Sequence, residues 1–303
     1  MIIPESWFII SEDSLRFLCY YSLQEKTMDY KNIHVRKPDF RLQQKTLQEF
    51  IGSDPVRAHF LNSLSTLFPE GEKFFIETVR NYKEQITDRE LAEAVKRFSG
   101  QETVHTNEHI VYNNLIDQCG YSTGFIGDRL KNRVEYLKKI ISQKRQLAAT
   151  LALEHYTASL AHLILTDKSI LEGIHPEIHK IWNWHAMEEI EHKAVAFDVY
   201  TAIGGGYFTR ISEMLVVSVF FFSDLFANMI YFLNKDGKLF HLPTLAKAFA
   251  FFWIGPGIFR KLVPLFLEYF SPRFHPWNRN NSRLLADWSF LQQSGEKKPL
   301  ATG

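Results

Sequence analysis

Two Glu-x-x-His pairs stand in the chain: Glu102 and His105 in GQETVHTNEH, and Glu189 and His192 in WHAMEEIEHKAVAF. Residues three apart share a helix face, so each pair aims a carboxylate and an imidazole at one spot. Glu72 precedes the first pair and Glu154 the second, each by roughly the length of a helix hairpin. A single Glu-x-x-His arises by chance in charged helices. Two of them, each preceded by a helical glutamate, form a far more specific pseudo-repeat. Four carboxylates and two imidazoles converging would hold two divalent ions. Ligation by oxygen and imidazole without thiolate suits iron first, with manganese or zinc as alternatives.

Helices must position these groups, and the chain is written for helices. Proline and glycine are scarce between residue 72 and about residue 204, apart from a loop near 120–127. A first helix is expected from Phe68-Pro69-Glu70-Gly71-Glu72, with Pro in its first turn. A second opens at the capping-box pattern Thr87-Asp88-Arg89-Glu90 and stops near Gly120. The connection 119–144 should hold a helical turn over Lys131–Ile141. A third covers about 145–166, and a fourth runs from His175-Pro176 to about Ile203, ended by Gly204-Gly205-Gly206. Four such helices carrying Glu, Glu-x-x-His, Glu and Glu-x-x-His make an all-α, ferritin-like four-helix bundle with a carboxylate-bridged dinuclear site. The expected organisation is an N-terminal arm at 1–66, with IHVRKPDF (33–40) extended, and the metal-binding bundle at 67–206. Hydrophobic helices packed on the bundle follow at 207–291, then a polar, disordered tail at 292–303.

Further groups share these faces. His109 lies four residues after His105, and His185 four before Glu189. Either could be an added ligand or could orient a carboxylate. Glu188 competes with Glu189 for the ligand role and could serve as a catalytic base, while Tyr112 could supply a phenol. Glu191 points away and is expected to be solvated. His155 is rotated about 100° from Glu154 on the helix, which favours packing or hydrogen bonding. His34, His59, His175, His179 and His241 carry no pattern, and surface or capping roles suffice for them. The alternative to a metal site is a helical interior whose polar residues pair among themselves.

Composition bounds the rest. At 303 residues, with 46% hydrophobic and 26 Phe, the chain has ample material for a buried core. A net charge of +1 offers no field to select nucleic acid. Cys19 and Cys119 are far apart and in no metal-type spacing, which fits a reducing, cytoplasmic setting. MIIPESWFIISED lacks the basic start and apolar core of a secretory signal. MLVVSVFFFSDLFANMIYFL (214–233) is long enough to cross a bilayer, yet Asp224 and Asn228 sit near its middle. LAKAFAFFWIGPGIFRKLVPLFLEYF (245–270) is a second greasy run. Two readings stand: buried helices packed on the bundle, or membrane contact through 214–270 or a lipid-sized tunnel there.

Together FPEGEKFFIETVR, FSGQETVHTNEHIVYNN, LALEHYTASLAH, WHAMEEIEHKAVAFDVY and YFSPRFHPWN resemble a bacterial family described as predicted metal-dependent hydrolases. The resemblance runs from about residue 35 to 280 and implies a ferritin-like helical protein with a metal site. It would place Glu72, Glu102, His105, His109, Glu154, His185, Glu189 and His192 around the metals. The Phe274-His275-Pro276-Trp277 block also matches, and no chemistry is assigned to it.

Three functions follow as expectations. The first is a dioxygen-dependent diiron oxidase or oxygenase acting on a small, hydrophobic, lipid-like substrate and fed by an electron donor. The second is a metal-dependent hydrolase using a hydroxide held between two ions, since no Ser-His-Asp or nucleophile-elbow sequence is visible. The third is a non-catalytic metal-binding or membrane-associated protein. An oligomer is compatible with all three, although the terminal additions argue against a storage shell.

Overall fold

Short local signals set where each helix begins and ends. The computed structural model describes Tyr30 and residues 33–286, and among them every regular element is helical. Residues 1–29 and 31–32 of the expected N-terminal arm, Cys19 among them, and the tail after 292 lie outside the described residues. The helices are α1 (Gln44–Ser53), α2 (Pro55–Arg80), α3 (Arg89–Gln118), α4 (Gly124–Ile140) and α5 (Gln143–Thr166). They continue as α6 (Pro176–His192), α7 (Val195–Ala202), α8 (Tyr207–Lys235), α9 (Leu242–Phe249) and α10 (Ile258–Glu268).

Side-chain caps fix several starts. Asp54 accepts from Arg57 N, Asp88 from Glu90 N and Leu91 N, and Ser142 from Arg145 N. His175 accepts from Glu177 N, with Pro176 in the first turn of α6. The triple glycine ends α7: Gly204 takes φ 69°, and Gly205 N donates to Tyr200 O at 2.8 Å.

Three boundaries differ from the expectations. α2 starts at Pro55 rather than Phe68, so residues 55–67 belong to a helix and Pro69 lies inside it. A mid-helix proline lacks the N–H that would bond the carbonyl four residues back, here that of Ser65. Asn113 Nδ2 on α3 donates to that carbonyl at 3.0 Å, so the lost bond is replaced from the neighbouring helix. The fourth helix breaks at Lys193–Ala194 and resumes as α7. The connection before α5 holds a full helix, α4, rather than a turn.

α2 packs on α3, α5 on α6, α2 on α5 and α3 on α6, which encloses a common centre. The extended segment 33–40 runs along the outside of α6, where Phe40 packs edge-on against Trp184. α8 lies against α5 and α2, and α10 also reaches α5.

Asn113→Ala should lower stability by about 1–3 kcal/mol, because it orphans the Ser65 carbonyl inside the protein. Urea denaturation of the variant beside the wild type measures this, and an unchanged midpoint would refute the role.

Candidate metal centre

Four helices deliver the carboxylates and imidazoles to one place. α2 supplies Glu72, α3 supplies Glu102, His105 and His109, α5 supplies Glu154, and α6 supplies His185, Glu189 and His192. Each is 3% exposed or less. Ligand atoms of Glu72, Glu102 and His105 lie within 4.8 Å of one another, as do those of Glu102, Glu189 and His192. Glu102 is common to the two sets. Glu154 approaches the second, with Oε2 3.7 Å from His192 Nε2. His185 joins both Glu72 with His109 and His105 with Glu189 in further sets of the same tightness.

Buried polar atoms normally find partners. Here both oxygens of Glu102 and of Glu154, Glu72 Oε1, Glu189 Oε2, His105 Nδ1 and His192 Nε2 have no hydrogen-bond partner. His192 Nε2 comes within 3.1 Å of Glu102 Oε1, yet without hydrogen-bonding alignment. That collection of inward-facing carboxylate oxygens and imidazole nitrogens fits divalent cations.

The side chains alone cannot sustain their charges. Burial drives Glu72 and Glu154 well above the usual carboxylate range. Burial also opposes ionisation of Glu102 and Glu189, but the adjoining imidazoles outweigh it and hold both below that range. Burial lowers His109 and His185, and neighbouring imidazoles add to the effect.

Outer partners aim the histidines. His105 Nε2 donates to Glu188 Oε2 at 3.1 Å, which turns Nδ1 toward Glu102 and Glu189, 3.8 and 3.6 Å away. His192 Nδ1 donates to Gln101 Oε1 at 3.0 Å, which turns Nε2 inward. One guanidinium stands behind both. Arg36 reaches Glu188 at 3.0 Å and forks onto Glu191 at 2.6 and 2.8 Å, and Glu191 accepts from Gln101 Nε2 at 2.7 Å. Such outer groups fix the tautomer and direction of ligating imidazoles.

A third chain of bonds reaches His185. Ser65 Oγ donates to Asn113 Oδ1 at 2.8 Å, so it accepts from His109 Nδ1 at 2.9 Å. His109 Nε2 and His185 Nδ1 share a hydrogen bond of 2.6 Å. On its other side His185 Nε2 donates to Glu189 Oε1 at 2.9 Å.

The remaining candidates lie elsewhere or act otherwise. Glu188 is fully occupied by Arg36, His105 and Trp184 Nε1, the last at 2.9 Å. The Tyr112 hydroxyl donates to Asn62 Oδ1 at 3.1 Å, away from the carboxylates. Glu191, expected in solvent, is 4% exposed and serves the Arg36 network, because segment 33–40 covers the outer flank of α6. His59, expected at the surface, is buried against Asp236 at 2.8 Å. His155 donates to Leu265 O, and burial presses it down to about 4. His275 caps a short turn, bonding Trp277 N and Asp198. Arg36 and Gln101 were absent from the sequence reading. Nothing in local spacing announces them, although an arginine within an extended apolar-flanked segment was a signal.

Glu154 borders a cleft of about 40 Å³ between α5, the α6–α7 break and residues 274–281. Lys193 faces it, donating to Arg279 O at 2.8 Å and Asn281 Oδ1 at 2.6 Å over the ring of Trp277. Burial, then the nearby Arg279 charge, lowers Lys193 to about 7.

A family model described as "Predicted metal-dependent hydrolase" matches residues 34–280. No curated protein and no solved structure gives a significant match.

Glu102→Ala and Glu189→Ala should each lower bound metal per chain, measured by elemental analysis; full occupancy in both would refute the site. Arg36→Met should weaken metal affinity roughly 10- to 100-fold without removing a ligand. Competition with a chelator reads that shift, and an unchanged affinity would leave Arg36 a purely structural group.

Proposed function

The chain belongs to the predicted metal-dependent hydrolase family, and from that premise we propose that it is a hydrolase built on a dinuclear, ferritin-like metal centre. The observation that carries the reading is the convergence of unpartnered carboxylate oxygens and imidazole nitrogens at one buried point bordered by a cleft. Glu72, Glu102, His105, Glu154, Glu189 and His192 would hold two divalent ions, with His185 beside them, hydrogen-bonded to Glu189. When bound, the ions would polarise a scissile carbonyl or phosphoryl oxygen and make an attacking water acidic near neutral pH.

The chain's own groups do the rest. His109 acts through His185, orienting its ring by the 2.6 Å hydrogen bond at Nδ1. Glu188, Glu191, Gln101 and Arg36 hold His105 and His192 in the orientation that keeps one nitrogen inward. Phe98 and Trp184 pack edge-on against His192 and His105 and keep bulk water from that side. Glu154, with both oxygens unpartnered, is the ligand that borders the cleft. Lys193, lowered to about 7, brings positive charge to the same cleft in its protonated form, where it would favour oxyanion character developing on a substrate.

A second reading rests on the donor set. A Glu-x-x-His motif on each of two helices, with a glutamate from each of two others, is the ligand pattern of di-iron and di-manganese carboxylate bundles. Dioxygen-dependent oxidation of a small apolar substrate is therefore the alternative.

The test is metal replacement followed by both assays. Zinc- and manganese-loaded protein should hydrolyse simple carboxylic or phosphoric esters, and chelation should abolish turnover. Lys193→Met should then lower kcat/KM on the order of a hundredfold. Iron(II)-loaded protein that consumes dioxygen with transient absorption, alongside no hydrolysis by any metal form, would replace hydrolysis with oxidation.

A further inference from the structure

Along α8 the usual order of an amphipathic helix is reversed. Its charged and polar residues face inward: Glu213 pairs with Arg145 of α5, Asp224 with Arg133 and Arg129 of α4, and Asn228 accepts from Arg129 at 2.9 Å. Its outward face shows Leu215, Val216, Val219, Phe220, Phe226 and Ile230, interrupted only by Ser212, Ser223 and Ala227. No exposed charge occurs between residues 211 and 233. At the helical rise this run is roughly 30 Å long, the thickness of a bilayer's hydrocarbon core.

The adjoining chain continues the same surface. Phe240, Leu242, Phe249, Trp253, Ile254 and Leu267 are all exposed. Only 39% of the most apolar stretch is buried in each of the two segments Tyr207–Lys235 and Leu242–Glu268. Core helices of a soluble protein would be mostly covered. Between the segments opens a groove of about 310 Å³ walled by Phe222, Phe226, Trp253, Phe259, Val263 and Phe266. Exposed apolar area of this extent marks an interaction surface.

The charges at its edge select the occupant. Lys235, Lys247 and Arg260 of these segments are exposed, and Lys247 pairs with Asp54 at 3.3 Å. Among the acids of 207–270, Glu213 and Asp224 are buried, and Asp236 is taken by His59 and Tyr121. Glu268 is the exposed one, paired with Arg279. A basic rim around an apolar face suits anionic headgroups over acyl chains. A second copy of the chain would bring the same basic rim against it. Crossing the bilayer is disfavoured, because the inner face of α8 is pinned by ion pairs to the soluble bundle.

We propose that this face lies in the surface of an anionic lipid bilayer, with α8 along the membrane plane and the aromatic groove taking an acyl chain. The placement is independent of which reaction the metal centre performs. It puts the bundle against the membrane through α8 and α10, both of which touch α5, the helix carrying Glu154.

Flotation of the full-length protein with phosphatidylcholine vesicles, with and without phosphatidylglycerol, tests the proposal. The wild type should float with the vesicles, more strongly when phosphatidylglycerol is present. The double variant Val219→Glu, Ile230→Glu places charges at exposed positions and should bind roughly tenfold or more weakly. Circular dichroism and metal content should match the wild type, separating a lost surface from a lost fold. Three results would overturn the proposal: a wild type that stays with the soluble fraction, a variant that floats equally well, or a wild-type dimer that the variant makes monomeric without any vesicle binding.

Discussion

Four carboxylates buried within reach of one another impose the constraint that organises this molecule. Such a group costs several kcal/mol for each uncompensated charge, far more than a marginal fold can absorb. The interior answers in layers. Imidazoles stand between the carboxylates, and amide, carboxylate and guanidinium groups stand behind the imidazoles. The aromatic rings of Phe98, Trp182 and Trp184 seal the outside. The inner layer remains short of positive charge, and two divalent ions would complete it. Even Pro69 enters this logic, because the Asn113 side chain that mends its broken backbone bond also holds Ser65 beneath His109.

The inner layer was legible in the sequence because it obeys helix periodicity. Glu102 with His105, and Glu189 with His192, are separated by less than one turn, and spacing that short survives folding unchanged. The outer layer was not legible. Arg36 meets Glu188 and Glu191 across more than 150 positions, and Gln101 meets Glu191 across 90. Only packing of segment 33–40 on α6 creates those pairs. The same packing overturned the solvated reading of Glu191, whose helical face was judged without knowing what covers it. Helix starts were misjudged where a local signal was ambiguous. Pro69 suits a first turn, yet the stronger Asp54-Pro55 start lies upstream and a tertiary hydrogen bond tolerates the proline.

The hydrophobic segments after residue 207 show the limit of composition as a guide. A run rich in Phe, Leu and Val reads equally as core or as membrane. What distinguishes them is the side on which the charges lie, and α8 hides its charges while displaying its apolar residues. Periodicity alone could show that α8 had two faces, but the identity of the inner one depended on arginines from α4 and α5.

The single guanidinium behind both histidines has a consequence for how the centre would fill. Arg36 steadies the acceptors of His105 and His192 together, so the two ion positions share one support rather than two. In the language of linkage, any freedom that segment lost to the first ion would not have to be lost again for the second. Loading would then approach all-or-none, with few chains caught holding a single ion. The extended segment outside the bundle would thus act as the common latch for a pair of sites it never touches directly.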